Sequence, residues 1–479
     1  MAVIGSGPAG FYAAGHLLAD SGGLIEVDMF ERLPTPWGLV RSGVAPDHPK
    51  IKSVTRVYEK TAAHPRFRYF GHVELGADVS RAELAEHYHA IVYATGSPTD
   101  RPLGIPGEDL PGSLAATDFV GWYNAHPDFR DLDVDLGTER AVVIGNGNVA
   151  LDVARMLVLA HHEVAATDTA DHAIEALRES GVREVIVAGR RGPAQAAFTN
   201  PELRELADMD GVDVIVDPAE LDRALAVQEG EMDATTKRNV ATLSEYAERA
   251  ERGAQGRTAS GESSPEERRR IVLRFLVSPV ELRGGESGVS EVELVHNELR
   301  RDESGSLRAV PTERREVIAA GLVLRAIGYR GAPLPDVPFD PEHCVIPNVR
   351  GRVLDPESGE PRPGEYVVGW IKRGPSGVIG TNKKDAQETV DAILEDLAAD
   401  RLPEPARPGA GEVEEMLRAR KPDLVTYAGW SEIDRHERER GEPHGRPRSK
   451  LTAIEEMLEV AAAATPSAEE TAGARAGER

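Results

Sequence analysis

Short apolar runs that each end near a glycine recur along this chain, and they divide it. Ala2-Val3-Ile4 precedes Gly5, and in residues 9–19 that follow, Phe11, Ala14 and Leu18 recur at helical spacing toward one face. A second run, 25–30, ends at Glu31, and a third, 91–96, closes on a glycine turn. The stretch 102–111 is rich in proline and glycine and marks a crossing between domains. The pattern then starts again, with an apolar run at 141–144, a tight loop at 145–149, a helix over 151–159 and a strand over 184–188. That strand runs into Gly189-Arg190-Arg191. Residues 228–270 are polar and read as an insertion, a charged helix followed by a Gly/Ser-rich loop over 253–264. Another strand-to-glycine run, 322–328, marks the expected return to the first domain, with a strand over 366–369 and a helix from Val378.

Two strand–loop–helix beginnings in one chain predict an α/β protein with two doubly wound dinucleotide-binding domains. The expected division is 1–100 and 326–464 for the first domain, 101–325 for the second, and a disordered Ala/Glu/Gly-rich tail over 465–479. Only three residues after Met1 precede the first loop, whereas a buried strand usually runs about 5–6 residues, so the natural start is expected slightly upstream.

Charge narrows the function classes. A net charge of −25 disfavours general nucleic-acid binding, which needs a basic surface, and leaves room for a local basic patch that an acidic electron carrier would need. The single cysteine, Cys344, rules out an intrachain disulfide and the four thiolates of an iron–sulfur cluster, and it reads as a small buried hydrophobe in a reducing, cytoplasmic protein. No apolar run approaches the ~18–20 residues of a membrane span.

Both glycine loops have the spacing of phosphate cradles. In Gly5-Ser6-Gly7-Pro8-Ala9-Gly10, the first glycine permits the turn and the second admits the pyrophosphate. The third lets helix and strand pack closely. Glu31, 21 residues past Gly10, is placed to accept hydrogen bonds from the ribose hydroxyls of an adenosine, here that of FAD. The second loop, Gly145-Asn146-Gly147-Asn148-Val149-Ala150, leads instead to Arg190 and Arg191 after the next strand. A carboxylate there would repel a 2′-phosphate, whereas two forked guanidiniums suit it, so NADP(H) is expected over NAD(H).

Longer motifs carry a family resemblance. The stretch 31–50 (ERLPTPWGLVRSGVAPDHPK), together with 145–155, 189–198 and 369–381, closely resembles the adrenodoxin-reductase type of ferredoxin–NADP⁺ reductase, its bacterial members above all. The resemblance runs from residue 2 to about 450. It implies a glutathione-reductase-like fold with FAD in the discontinuous domain and NADPH in the intervening one. The contacts it implies for FAD fall on Ala9, Glu31, Leu39, Val73 to Leu75, Trp370, Gly377, Val378 and Ile379. Those for NADP fall on Asn146, Gly147, Asn148, Val149, Arg190, Arg191, Glu202 and Gly377, with Arg101 as a further phosphate contact.

By the same resemblance His48 and Glu205 approach the reacting rings, where they would orient the nicotinamide carboxamide and buffer a proton; the alternatives are a turn histidine and an exposed charge. The loop 374–380 reads on its own terms as a strand-to-helix turn whose N–H groups suit an anionic flavin edge. Trp370 beside it either packs on the ring system, shapes the nicotinamide entrance or is a core tryptophan. With no paired cysteines to reduce a disulfide and no cluster of its own, the chain must pass electrons outward, and a one-electron ferredoxin fits, a cytochrome P450 being a plausible terminus. Lys372, Arg373, Lys383 and Lys384 are the candidate docking cations. No metal cluster is evident, and a monomer is favoured. The rival readings are an NADPH-dependent flavin oxidase or monooxygenase and a non-enzymatic flavin or NADP sensor.

Overall fold

The computed structural model describes residues 1–226, 232–256, 268–303 and 305–463. The expected tail at 465–479 and most of the expected Gly/Ser-rich loop lie outside the described residues. The chain forms two compact units, one of 1–99, 124–130 and 329 onward, the other of 100–123 and 131–328. The excursion 124–130 was expected in the second domain but belongs to the first unit.

The first unit is built on a seven-stranded sheet in the order 348–349, 352–354, 361–367, 91–93, 2–4, 27–31, 67–71. Ala2–Ile4 pairs in parallel with Val27–Glu31 on one side and Ile91–Tyr93 on the other. Three residues suffice because all are buried against helices on both faces, which is why this strand is uniformly apolar. On one face, Phe11, Ala14, Leu17 and Leu18 of helix Pro8–Asp20 pack with Val390 and Ile393 of helix Thr381–Ala398. On the other, Leu84, Tyr88, Val413 and Leu417 close the core.

The second unit repeats the plan with a six-stranded parallel sheet in the order 113–115, 322–325, 140–144, 184–189, 269–275, 212–216. The strand Leu322–Arg325 pairs within this sheet, so the chain crosses to the first unit only at Tyr329. An antiparallel sheet of Val277–Gly285, Gly288–Arg301 and Leu307–Ala319 is attached, and nothing in the apolar pattern had announced it. Helix Ala234–Gly256 runs through the start of the expected loop. It is more than a polar insertion: Leu243 and Tyr246 are buried, the Tyr246 hydroxyl donates to the Leu203 carbonyl at 2.6 Å, and Asn239 Nδ2 donates to that of Phe198 at 3.1 Å. No described helix is long and apolar enough to cross a membrane.

Candidate functional site: two dinucleotide cradles

The first cradle forms where Ala2–Ile4 gives way to helix Pro8–Asp20. Gly5 takes φ +105°, and a Cβ there would lie 2.6 Å from the Ala94 carbonyl oxygen. At Gly10 a Cβ would lie 2.1 Å from the Gly5 carbonyl oxygen, so only glycine lets the helix start this close to the strand. At Gly7 a Cβ would meet nothing within 4 Å, which leaves open space over the helix N-terminus. A pyrophosphate fits there, its charge facing free N–H groups.

Glu31 ends the neighbouring strand, and its carboxylate is already engaged. One oxygen accepts from the Ser6 amide at 3.0 Å and the Ser6 hydroxyl at 2.6 Å; the other accepts from the Leu33 amide at 3.1 Å. A carboxylate has about four acceptor positions. Glu31 therefore fixes the glycine loop and keeps capacity for a ribose. Beside it a small, partly open cleft is lined by Glu31, Leu33, Gly38, Arg41, Ala125 and His126, among others.

Trp37 and Gly38, not singled out as contacts by sequence, brace this cradle. Trp37 has φ +86°, and its amide donates to the Ser6 carbonyl at 3.0 Å. Its buried ring meets Trp430 edge-on at 4.8 Å. Gly38 approaches so closely that a Cβ would lie 3.0 Å from Gly7 Cα. Leu39 opens the short helix that follows and is half-buried. Arg41, which lines the cleft, makes a buried fork to Glu437 at 2.5 and 2.9 Å. Burial alone would raise the Glu437 pKa, but Arg41, and Arg448 after it, hold it below the usual carboxylate range.

Val73 and Leu75 have their side chains in the core, so only their backbone can face a ligand; the Val73 amide donates to the Glu31 carbonyl at 2.9 Å. Ala9 is buried, its Cβ facing Gly369, where an added Cβ would approach to 2.5 Å. His48 is half-buried at the start of the turn Pro49–Lys52.

The C-terminal loop differs from its expectation in one step. After strand Pro361–Val367, a four-residue turn, Trp370–Arg373, precedes the glycine-rich loop, and the helix begins at Thr381 and not at Val378. Trp370 is half-buried, its ring centroid 5.1 Å from that of Tyr329 and its Nε1 donating to the Ser376 carbonyl at 3.1 Å. It is therefore no ordinary core tryptophan. Gly377 takes φ +81°, Val378 is 58% exposed, and Ile379 is half-buried.

Two of the four candidate docking cations are committed elsewhere. Lys372 is buried, with Nζ 2.6 Å from Glu388 and 3.3 Å from Asp385, and Arg373 pairs with Asp385 at 3.3 Å. These contacts hold the 370–373 turn to the following helix. Lys383 and Lys384 remain exposed.

The second cradle repeats the glycine geometry. Gly145 takes φ +136°, with an added Cβ 2.2 Å from the Ala326 carbonyl oxygen, while at Gly147 the nearest atom would be 4.0 Å away. Asn148 opens the helix Asn148–Val158 and its Oδ1 accepts from the Thr199 amide at 2.7 Å, with Val149 half-buried beside it. Asn146 carries a buried Nδ2 with no acceptor among the described residues, a donor available to a ligand.

At the end of the next strand the backbone of the arginine pair is pinned. Asn297 Nδ2, from the antiparallel sheet, donates to the Arg190 carbonyl at 3.0 Å, and the amide of Leu276, the residue just before that sheet, donates to that of Arg191 at 3.2 Å. Arg190 is exposed, Arg191 half-buried, and neither guanidinium has an acidic partner among the described residues. Arg101 is also exposed, its amide donating to Gly328 at 3.1 Å. Glu202 and Glu205 sit on the helix Asn200–Glu205, and Glu205 lies 3.8 Å from Arg155.

Cys344 is buried as expected, but hydrogen-bonded: its Sγ accepts from Arg330 Nε at 3.1 Å.

Residues 1–187 match the family described as pyridine nucleotide-disulphide oxidoreductase. The chain is 53% identical over 471 residues to the NADPH-ferredoxin reductase FprA of Mycobacterium tuberculosis, covering 96% of this chain and 98% of that protein. It is 41% identical over 466 residues to the mitochondrial NADPH:adrenodoxin oxidoreductase of Arabidopsis thaliana, covering 96% and 95%. Among solved structures, Mycobacterium tuberculosis FprA in complex with NADPH matches with a TM-score of 0.86 at 52% identity, over 96% of this chain and 99% of that one. Two glycine cradles, one ending in a carboxylate and the other in an arginine pair, thus accompany full-length similarity: the chain belongs to the adrenodoxin-reductase type of FAD-dependent NADPH–ferredoxin reductases.

Proposed function

We propose that this protein oxidises NADPH and delivers the electrons one at a time to a ferredoxin, in the cytoplasm and as a monomer, with a cytochrome P450 as the terminal acceptor. The single observation that carries the coenzyme choice is the pair Arg190 and Arg191 at the end of the second cradle, without an acidic partner among the described residues. Bound FAD supplies a two-electron acceptor able to release its electrons singly.

The chain's own residues bind and align. Gly5, Gly7 and Gly10 shape the first phosphate site, and Glu31 fixes its loop and takes the ribose. Leu39, Val73, Leu75, Trp370, Gly377, Val378 and Ile379 are assigned to the remainder of FAD. Asn146 to Val149 seat the NADPH pyrophosphate, Arg190 and Arg191 fork the 2′-phosphate, and Arg101 and Glu202 are assigned to the same coenzyme. His48 and Glu205 are assigned to orienting the carboxamide and holding a proton, with Arg155 keeping the Glu205 carboxylate in place. Lys383 and Lys384 are the remaining cations for an acidic carrier.

Purified protein assayed for cytochrome c reduction tests the reading. The expected result is a flavin spectrum, dependence on added ferredoxin, a strong preference for NADPH over NADH and a rate that falls with added salt. A colourless protein that takes up no FAD, or equal use of the two coenzymes, would overturn it.

A further inference from the structure

The excursion 124–130 interrupts the second unit's sequence to return to the first, and its placement has a use. Asn124 is fully buried; its carbonyl and its Oδ1 each accept from Lys450 Nζ at 3.2 Å. Asp128 accepts a fork from Arg32 at 2.7 and 3.2 Å, next to Glu31. Anchored at both ends, the excursion forms one wall of the cleft beside Glu31, presenting Ala125, His126 and Pro127.

We infer that His126 is a specificity residue for the adenosine half of the flavin cofactor, donating a hydrogen bond that favours FAD over FMN. This rests on the FAD reading above. His126 Nδ1 accepts from the Asp128 amide at 3.2 Å, so that nitrogen carries no proton and the neutral ring holds its proton on Nε2. The ring is therefore a fixed donor on the wall of a cleft that also contains Glu31, an acceptor. A donor and an acceptor in one cleft suit a group that offers both, as ribose hydroxyls and a purine do. FMN lacks that half of the molecule and gains nothing from it.

The test is titration of apoprotein with FAD and, separately, with FMN, followed by quenching of flavin fluorescence. His126→Asn is the informative variant. Its side-chain oxygen can still accept from the Asp128 amide in an Asx-turn, so the wall keeps its shape, but it does not reach as far as Nε2. FAD affinity is expected to fall about 2- to 10-fold, the worth of one hydrogen bond, with FMN affinity unchanged. Unchanged FAD affinity in His126→Asn, or equal losses for FAD and FMN, would overturn the inference. Failure of the unmodified apoprotein to bind FAD at all would overturn the FAD reading itself.

Discussion

The two cradles share one backbone solution and differ in what lies at the end of the second strand. Both use a glycine at positive φ, both have a second glycine open to a ligand, and both start a helix immediately afterwards. In the first, the charged group is turned inward: Glu31 already accepts three hydrogen bonds from Ser6 and Leu33, and it shapes the loop as much as it would touch a ligand. In the second, the carbonyls of Arg190 and Arg191 are tied down, and among the described residues their guanidiniums have no acidic partner. The lesson is that one loop geometry leaves a helix N-terminus open in both units, while the charge after it is committed in one and uncommitted in the other; in the proposed reading, that difference selects the rest of the cofactor.

The largest test of the shared part is steric. Gly10→Ala places a methyl 2.1 Å from a carbonyl oxygen of the same cradle, which has no flexible side chain to yield. The variant is expected to purify without flavin and to lose about 3 kcal/mol or more of stability, seen in denaturant unfolding. Gly145→Ala should abolish NADPH use while leaving the flavin in place, because its clash lies in the other unit.

Next in size is the inward charge network of the first unit. Glu437→Ala would leave Arg41 buried without its partner at 2.5 Å, and a loss of about 3–5 kcal/mol is expected by thermal or urea unfolding. Glu31→Gln should be milder, lowering FAD affinity about tenfold in an apoprotein titration, since the amide can still accept from Ser6 but without charge.

The smallest effect separates the walls of the cleft. Burial pushes the His126 pKa down to about 4, against the opposing pull of Asp128. The unfolded chain, with an ordinary histidine near 6.5, then binds the proton more readily than the folded one. The contribution of neutral His126 is complete above about pH 6.5 and is lost as pH falls toward 4. His126→Asn should flatten the decline in melting temperature across that window.

What could be seen in the sequence was local. A glycine loop, the helix after it and the charge at the next strand end lie close together in the chain, so spacing alone exposed both cradles. The antiparallel sheet of 277–319 was not visible, because its last strand is largely exposed and alternates charges where a core strand would show apolar residues. The return of 124–130 to the first unit depends on Lys450, 326 residues away from Asn124, and no local pattern encodes it. Lys372 looked like a surface cation because a lysine's burial depends on its acids, and Asp385 and Glu388 come only in the next helix.

The central claim is that two uncommitted guanidiniums choose the coenzyme. Equilibrium binding of 2′,5′-ADP and of ADP to the protein and to its Arg190→Ala/Arg191→Ala variant tests it most directly, with no flavin chemistry involved. The account predicts that the variant binds 2′,5′-ADP about 100-fold or more weakly while ADP binds both proteins alike, as two charge-assisted contacts require. A variant that still prefers the ligand with the 2′-phosphate would contradict it.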